Sequence, residues 1–253
     1  MILENLLREI DEKKAKIDKA RPLPKIILDK LTDYLDVEWT YNSNAIEGNT
    51  MTLRETMLIL KEGLTISGKS MREHLEVTNH KNAIDYLGEL LKKLEPITQE
   101  DIKKIHYLVL EGIKNDYAGK YRDVEVYISG TDTVLPKPAV VPSIMLEFSK
   151  WLVERQEKND LHPVRLAAQA HYKFVAIHPF IDGNGRTARL LMNLILMKYG
   201  YPIAIVACET GERKSYYSAI RTAEKGDLLP FETIIADYVN QTADKYVGSI
   251  PKS

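Results

Sequence analysis

The chain of 253 residues contains 35 Lys and Arg residues and 36 Asp and Glu residues, which leaves a formal net charge of −1 at pH 7. Hydrophobic residues make up 44% and charged residues 28% of the sequence, as is usual for a soluble globular protein. A chain of this length buries a large apolar core. The balanced charge offers no electrostatic basis for binding nucleic acid or an anionic membrane, so neither is predicted as a partner.

Cysteine usage and the N-terminal sequence favour a cytoplasmic protein. Cys208 is the only cysteine, which excludes an internal disulfide and a cysteine-rich zinc site. Residues 1–20 carry acidic and basic side chains throughout and lack the apolar segment of a signal peptide. The longest apolar stretch, around residues 195–197, is too short to span a membrane.

Apolar residues at helical spacing predict helices along most of the chain. In chain order, the predicted helices cover residues 4–19, 25–47, 52–61, 70–94, 98 onward, 143–157, 163–176, 186–199, 214–225 and 230–247. Gly48 is a typical left-handed stop for the second of these helices. Thr52 followed by Glu55 resembles a capping box, which predicts the start of the third.

One segment has the alternating pattern of a β-strand. Apolar residues alternate with others at 124–129, and residues 130–132 supply a turn. Residues 133–135 provide the partner strand before Pro136 ends it. The sequence therefore predicts an all-α fold class, a helical bundle with one small β-hairpin at 124–135.

The clearest functional signal is HPFIDGNGRTAR at residues 178–189, which joins two apolar helical segments. Gly183 and Gly185 allow the backbone to approach a ligand closely. The helix that follows presents unpaired N–H groups and its positive dipole end at the same place. Arg186 and Arg189 lie on one face of that helix and supply paired donors for phosphate oxygens. The segment is interpreted as an anion cradle.

Two further side chains add chemistry to the anion cradle. Asp182 offers a hard oxygen ligand for Mg²⁺ beside bound phosphates. His178 directly precedes the loop, where a neutral imidazole accepts a proton from an attacking hydroxyl. A plain helix–helix turn is the simplest alternative for a GNG triplet alone. An EF-hand calcium loop is excluded because Thr187 and Asn193 occupy the positions of the required glycine and glutamate.

Residues 178–189 resemble the signature of the Fic family, HPFx[D/E]GNGRxxR, at every fixed position. The resemblance extends from about Trp39 to Tyr238. Fic proteins are mostly helical, and most transfer AMP from ATP to a Ser, Thr or Tyr hydroxyl of a target protein. The resemblance implies a Mg²⁺-dependent protein adenylyltransferase with ATP as co-substrate. The related Doc branch resembles HxFxDANKR, and Gly183 here matches the AMP-transferring pattern instead.

The resemblance also implies a role for each motif residue. His178 corresponds to the general base for the target hydroxyl, and Asp182 to the Mg²⁺ ligand between the α- and β-phosphates. Arg186 corresponds to the residue that helps pyrophosphate leave, and Arg189 to the one that binds the γ-phosphate. The implied ATP-binding and phosphate-binding residues are Asp182, Gly183, Asn184, Gly185, Arg186 and Arg189.

A second signal lies at residues 43–48, where Ser43 and Glu47 are i, i+4 neighbours on one helical face. From the residues alone, Glu47 is most simply a solvated side chain. The segment matches the inhibitory pattern of Fic proteins, [S/T]xxxE[G/N]. The resemblance implies that Glu47 pairs with Arg189 and so prevents it from holding the γ-phosphate. In some family members the same glutamate orients water that removes AMP from targets, and the sequence leaves this alternative open.

The resemblance also implies contacts to the target protein and to the adenine base. The predicted hairpin resembles the Fic flap, which pairs with an extended target segment by β-augmentation. The implied target-binding residues are Val126, Tyr127, Ile128, Ser129, Gly130 and Thr131. The residues at adenine-binding positions are Tyr216, Tyr217 and Glu224. Tyr217 is preferred over its neighbour, and Glu224 replaces an asparagine of several relatives, which leaves nucleotide selectivity open.

The sequence thus predicts an N-terminal helical extension at 1–69, a Fic core at 70–245 and a C-terminal tail at 246–253. The alternatives on the same site are transfer of another nucleotide, such as UMP, and removal of AMP. A catalytically idle nucleotide-sensing module is the alternative from another class, and the intact motif argues against it, since binding alone needs no base. Homodimer formation is kept as an expectation, although no surface stripe identifies an interface. Histidines outside the motif, including His106 and His171, have no metal-ligand spacing and are assigned to ordinary packing.

Overall fold

The computed structural model describes residues 2–93, 95–128 and 133–251, and the regular structure in these ranges is helical. In chain order the helices are α1 (Ile2–Lys19), α2 (Lys25–Ile46), α3 (Leu53–Glu62), α4 (Met71–Leu90), α5 (Gln99–Leu110), α6 (Val141–Lys158), α7 (Pro163–Ile177), α8 (Asn184–Lys198), α9 (Thr210–Glu224) and α10 (Leu229–Gly248). The predicted all-α class is confirmed. Within these ranges no helix combines the length and the hydropathy that crossing a lipid bilayer requires.

Local signals explain where the helices around residues 43–48 begin and end. The predicted capping box at α3 is present, with the N–H of Glu55 donating to the Thr52 side chain and the Glu55 carboxylate accepting from the Thr52 N–H. Ser70 and Glu73 form a second box at α4, which the sequence analysis did not identify. Gly48 has a φ of 98° just after α2, as the stop signal predicted.

Several helix boundaries differ from the prediction by a few residues, among them the start of α8, the start of α9 and the end of α4. α8 begins at Asn184 rather than residue 186, because Gly183 turns the chain in the left-handed region. α9 begins at Thr210 rather than residue 214, and the acidic Glu212 in its first turn complements the helix dipole. α4 ends at Leu90, short of the predicted residue 94.

The motif helix α8 lies at the centre of the fold. Every residue from Arg186 to Leu196 is buried, because α7 packs along one side of α8 and α4 and α5 cover others. α1 packs against α10, and the ion pair between Lys13 and Asp244 joins the two helices at 2.6 Å. One buried core runs from α1 to α10, so the segment predicted as an N-terminal extension packs into the same core as the motif.

Paired strands of the predicted β-hairpin are absent from the described part of the chain. Residues 124–128 and 133–137 have no regular secondary structure, and the tip at 129–132 lies outside the described ranges. Tyr127 and Val134 face solvent, exposed by 87% and 93%, whereas Val126 and Ile128 are half-buried. A two-stranded ribbon without a covering layer is marginally stable in water, which explains why the alternating pattern alone does not produce one.

Candidate active site

The motif loop between α7 and α8 turns on two residues in the left-handed region. α7 ends at Ile177, and His178 follows with a φ of 50°, while its N–H bonds to the Phe174 carbonyl at 3.0 Å. A non-glycine residue in this region is strained and is held there by its surroundings. Gly183 has a φ of 74°, which glycine adopts without that cost. The two turns bring His178 and Gly185 to the wall of one cavity.

Asn184 shapes the loop from inside. Its side chain donates to the Phe180 carbonyl at 2.8 Å and accepts from the Phe180 N–H at 3.0 Å. Phe180 is fully buried and stacks on His106, with ring centroids 3.6 Å apart and ring planes 2° from parallel. Because both polar atoms of the Asn184 side chain are engaged within the loop, contacts to an anion are left to the main-chain N–H groups.

His106 is a site residue that the sequence analysis assigned to ordinary packing. The Gly119 N–H donates to His106 Nδ1 at 2.9 Å, so Nε2 carries the proton and donates to the Asp182 carbonyl at 2.9 Å. Burial lowers the pKa of His106 to about 4, against the opposing effect of the Asp182 carbonyl. A neutral His106 therefore supports the loop directly beneath the Asp182 backbone.

The Asp182 carboxylate lies among three cations. Lys114 Nζ is 2.7 Å from Oδ2, and the guanidinium groups of Arg186 and Arg72 lie 3.6 Å and 3.7 Å from the carboxylate. Burial raises the pKa of Asp182, but Lys114, Arg186 and the Gly183 N–H outweigh it and lower the pKa below its ordinary value. An ionised carboxylate beside the anion cradle fits Mg²⁺, which uses few protein carboxylates and takes its other ligands from water and phosphate.

Arg186 is buried between two carboxylates without a close contact to either. Its guanidinium lies 3.6 Å from Glu76 and 3.6 Å from Asp182. Arg186 Nε is buried and has no hydrogen-bond partner in the part of the chain that the structure describes. Glu76 is itself engaged by Arg72 Nε at 3.0 Å and Asn49 Nδ2 at 3.0 Å. Arg186 therefore keeps donor capacity for an anionic ligand, which a buried arginine otherwise spends on protein acceptors.

Arg189 is buried against the end of α2. Its Nε donates to Ser43 Oγ at 3.0 Å, and one terminal nitrogen donates to the Ser43 carbonyl and to Glu47 Oε1, each at 2.8 Å. Burial lowers the pKa of Arg189, but the Glu47 carboxylate more than offsets this and raises it overall. The structure thus brings Ser43, Glu47 and Arg189 together, and this set is called the inhibitory contact below, after the role proposed for it there.

The Glu47 carboxylate also lies over the first turn of α8. A Cβ atom at Gly185 would collide with Glu47 Oε1 and lie 3.2 Å from Glu47 Cδ. The carboxylate therefore fills the space beside the free N–H groups at the start of α8, where an anion binds most favourably. Glu47 therefore lies against Gly185 in the first turn of α8.

We expect Gly185→Ala to lower the free energy of unfolding by about 1–3 kcal/mol, the usual cost of overpacking a filled site. In a Glu47→Gly background the same change should cost clearly less, because the atom it collides with is gone. Gly211→Ala in α9 is the control, since a Cβ there meets nothing within 4 Å. Urea unfolding of the variants provides the comparison. Equal costs of Gly185→Ala in both backgrounds would contradict the placement of Glu47.

A cavity of about 540 Å³ extends from His178 and the anion cradle along α9. This volume lies in the range of small-molecule sites, about 300–1,000 Å³. Its apolar wall is formed by Ile128, Tyr172, Val175, Ala176, Tyr217 and Ile220. Its basic side chains, besides Arg189, are Arg213, Lys214 and Arg221. An apolar wall next to an anion cradle suits a ligand with a flat base at one end and phosphates at the other.

The two adjacent tyrosines of α9 have different environments. Tyr216 is 1% exposed, and its hydroxyl is 2.8 Å from His171 Nε2, so it belongs to the core at the back of the cavity. Tyr217 is partly buried and lines the cavity, with the Arg213 guanidinium 5.8 Å from its ring centroid. The preference for Tyr217 as the residue next to a base stays a prediction, and Tyr217 is the less buried of the two.

Other predicted contacts lie at the mouth of the cavity. Glu224 lines the cavity and accepts a hydrogen bond from Thr133 Oγ1 at 3.1 Å, which links α9 to the segment after the predicted turn. Ile128 lines the same cavity, Val126 is half-buried and Tyr127 is exposed. The remaining predicted target-binding residues, Ser129, Gly130 and Thr131, lie outside the described ranges.

The imidazole of His178 is held in its neutral form. Burial is the main cause that lowers the pKa of His178 below 6.5, with Arg122 adding to it and the Val175 carbonyl opposing it. A neutral imidazole at pH 7 accepts a proton, so the ring is suited to act as a general base.

Comparison with known sequences agrees with this geometry. The model of the Fic/DOC family matches residues 96–196. The protein adenylyltransferase Fic of Nematostella vectensis is 40% identical over 247 residues, which cover 97% of this chain and 56% of that protein. The protein of the same name from Drosophila grimshawi is 44% identical over 208 residues, covering 82% and 42%. The chain spans about half the length of these curated relatives.

Solved structures show the same relationship. Fic-1 of C. elegans, residues 134–508, superimposes with a TM-score of 0.86 at 33% identity and covers 97% of this chain, which covers 71% of it. A Fic-domain-containing signaling protein from Bacteroides thetaiotaomicron has a TM-score of 0.89 at 27% identity, with coverage of 96% and 97%. On the motif, the fold and these similarities, the chain belongs to the Fic/DOC family.

Proposed function

We propose that the protein transfers AMP from ATP to a Ser, Thr or Tyr hydroxyl of a target protein. The observation that carries this proposal is that the neutral His178 and the anion cradle at the start of α8 line one cavity of about 540 Å³. A phosphate site alone would bind a nucleotide, whereas a base beside it supports chemistry on the bound phosphates. The names of the curated relatives, protein adenylyltransferase Fic, support the same reaction.

In the proposed reaction the triphosphate lies at the start of α8, and the base packs against the apolar wall near Tyr217. His178 takes the proton of the target hydroxyl while the hydroxyl oxygen bonds to the α-phosphorus. The bond between that phosphorus and the oxygen bridging to the β-phosphate breaks, which yields an AMP ester and pyrophosphate. Arg186 and the N–H groups of residues 184 and 185 stabilise the charge that develops on the phosphates.

Asp182 is the residue that would hold Mg²⁺ in this site. The ion supplies charge neutralisation on the phosphates when bound. Lys114 pairs with Asp182 in the structure, so it is the side chain that gives way to a cation there. Residues 126–131 are proposed to dock the target as an extended segment, because main-chain pairing requires little of the target sequence.

We further propose that Glu47 inhibits the reaction. The donors that Arg189 would offer to a γ-phosphate are engaged by Ser43 and Glu47. The Glu47 carboxylate also brings a negative charge into the anion cradle, which repels a phosphate. ATP therefore binds in a pose that leaves its α-phosphate away from the attacking hydroxyl.

Labelled ATP distinguishes the proposed reaction from its alternatives. The Glu47→Gly variant, with Mg²⁺ and a cell lysate as the source of acceptors, should attach label from α-³²P ATP to protein and none from γ-³²P ATP. Transfer of label from α-³²P UTP instead would indicate another nucleotide. Nucleotide binding without any transfer, with no release of AMP from labelled proteins, would indicate an idle sensing module and overturn the proposal.

The pH dependence follows from the lowered pKa of His178. The base must be neutral, and a pKa below 6.5 keeps it neutral until the pH falls below that value. The kcat/KM of the Glu47→Gly variant for ATP should therefore be flat from about pH 8 to the ordinary imidazole pKa and fall only at lower pH. A midpoint at or above 6.5 would contradict a buried, neutral base.

A further inference from the structure

Arg122 connects the motif loop to both sides of the segment that the sequence predicts as the flap. Its Nε donates to the His178 carbonyl at 2.8 Å. One terminal nitrogen donates to the Val124 carbonyl at 3.3 Å, and the other donates to the Pro136 carbonyl. Its backbone N–H donates to the Pro179 carbonyl at 2.9 Å. Arg122 thus contacts the backbone of the proposed general base and residues on either side of 126–131, the residues proposed to dock the target, which are called the docking segment below.

The neighbours of Arg122 attach the same stretch of chain to the other end of the loop. His106 accepts from the Gly119 N–H and donates to the Asp182 carbonyl, each at 2.9 Å. The Tyr121 ring packs against Phe180 with centroids 5.5 Å apart. Residues 119–122 therefore lie along the motif loop and are tied to it directly at Arg122 and through His106 at Gly119. These two links, through the Arg122 N–H and through His106, do not depend on the Arg122 side chain, so the loop keeps them when that side chain is changed.

The chemistry of arginine suits this position. Arg122 is 2% exposed, and burial lowers its pKa, with Glu125 opposing the shift. A guanidinium stays charged in this environment and presents several N–H donors in one plane, in fixed directions. Three carbonyls from three segments can share such a group. The ammonium of lysine has one nitrogen at the end of a flexible chain and cannot bridge them at once.

We propose that Arg122 is a positioning residue that fixes the docking segment relative to His178, so that the hydroxyl of a docked target meets the imidazole. This inference rests on the proposed AMP transfer and assigns Arg122 a part in how the protein acceptor is placed. Attack by water does not use the docking segment. Loss of Arg122 should therefore impair transfer to protein far more than hydrolysis of ATP to AMP and pyrophosphate.

The test compares Glu47→Gly alone with Glu47→Gly carrying Arg122→Lys or Arg122→Gln. Arg54→Lys is the matched control, since Arg54 is exposed on α3. Initial rates of α-³²P transfer are measured against increasing lysate protein, and AMP formation is measured without acceptor. We expect both Arg122 variants to raise the half-saturating acceptor concentration on the order of 10- to 100-fold, as a misplacement of about 1 Å does. AMP formation and nucleotide affinity should change less than about threefold, a factor worth under 1 kcal/mol.

Amide hydrogen exchange gives a second readout that does not depend on transfer. In the Arg122→Lys protein, peptides covering 123–137 and 176–182 should exchange faster, while peptides of α10 should not change. Full rescue by lysine in both assays would mean that only the charge matters and would overturn the proposal. Equal losses in transfer and in AMP formation would also overturn it. If the Glu47→Gly protein transfers no label, the proposed function fails. Unchanged amide hydrogen exchange in the Arg122→Lys protein would separately reject the link through Arg122.

Discussion

Glu47→Gly should raise the rate of AMP transfer about 10- to 100-fold, which corresponds to a coupling free energy of about 1–3 kcal/mol between the inhibitory contact and ATP. The change releases Arg189 for the γ-phosphate and removes a carboxylate from the anion cradle. Glu47 has a side chain 34% exposed, so solvent screens part of its interaction with the fully buried Arg189, and a larger effect is not expected. Initial rates of α-³²P incorporation at saturating Mg²⁺ measure the effect.

Two milder variants separate the causes of this activation. Glu47→Gln keeps the shape of the side chain but removes its charge, so it should give an intermediate rate if charge and volume both matter. Ser43→Ala removes one acceptor of Arg189 and leaves the Glu47 pair in place, so its activation should be small. A Glu47→Gly protein that is no faster than the wild type, with equal ATP affinity, would show that the inhibitory contact does not restrain the enzyme.

His178→Ala in the Glu47→Gly background should reduce AMP transfer about 10²- to 10⁴-fold, the usual contribution of a general base. The affinity for ATP should stay within about threefold, because the imidazole acts on the hydroxyl and not on the bound phosphates. The two quantities are read from transfer rates and from binding of a fluorescent ATP analogue. A matched loss of affinity and rate would instead indicate a binding role for His178.

The left-handed conformation of His178 calls for its own control. Alanine at a φ of 50° is strained, so part of the loss in His178→Ala could come from a displaced loop. Asparagine adopts this region more readily than other residues with a Cβ and lacks a basic nitrogen. His178→Asn should therefore lose transfer to the same extent while unfolding at a temperature closer to that of the parent. Retained transfer in this variant would exclude His178 as the base.

The features that could be predicted from the sequence are those whose determining signal is local. The start of α3 follows from Thr52 and Glu55, which are three residues apart, and the left-handed stop follows from Gly48. The anion cradle is also local, because glycines and a helix start follow one another along the chain. The pairing of Glu47 with Arg189 could not be predicted from local signals, since nothing near Glu47 in sequence indicates Arg189. It was predicted from the family pattern.

Residues whose role depends on contacts with distant parts of the chain could not be predicted from the sequence. His106 and Lys114 reach Asp182 only after α5 packs beside α8, and no spacing in the sequence reflects that contact. Arg122 looks like one more basic residue until its three carbonyl partners are seen. Asn184 was expected to face phosphates, yet its amide fits the loop itself. The alternating pattern at 124–129 predicted a strand, but residues 124–128 have no regular secondary structure.

The burial of α8 has a consequence for how the protein loses activity under stress. Segments with few buried contacts open first in a native protein, and central helices open only with the whole fold. The anion cradle is the first turn of the most enclosed helix described, while α3 and the described residues next to the predicted turn, such as Tyr127 and Val134, have exposed side chains. Nucleotide binding should therefore survive partial opening of the edge and vanish only at global unfolding. Binding of the protein acceptor, in contrast, should be the first property lost on heating.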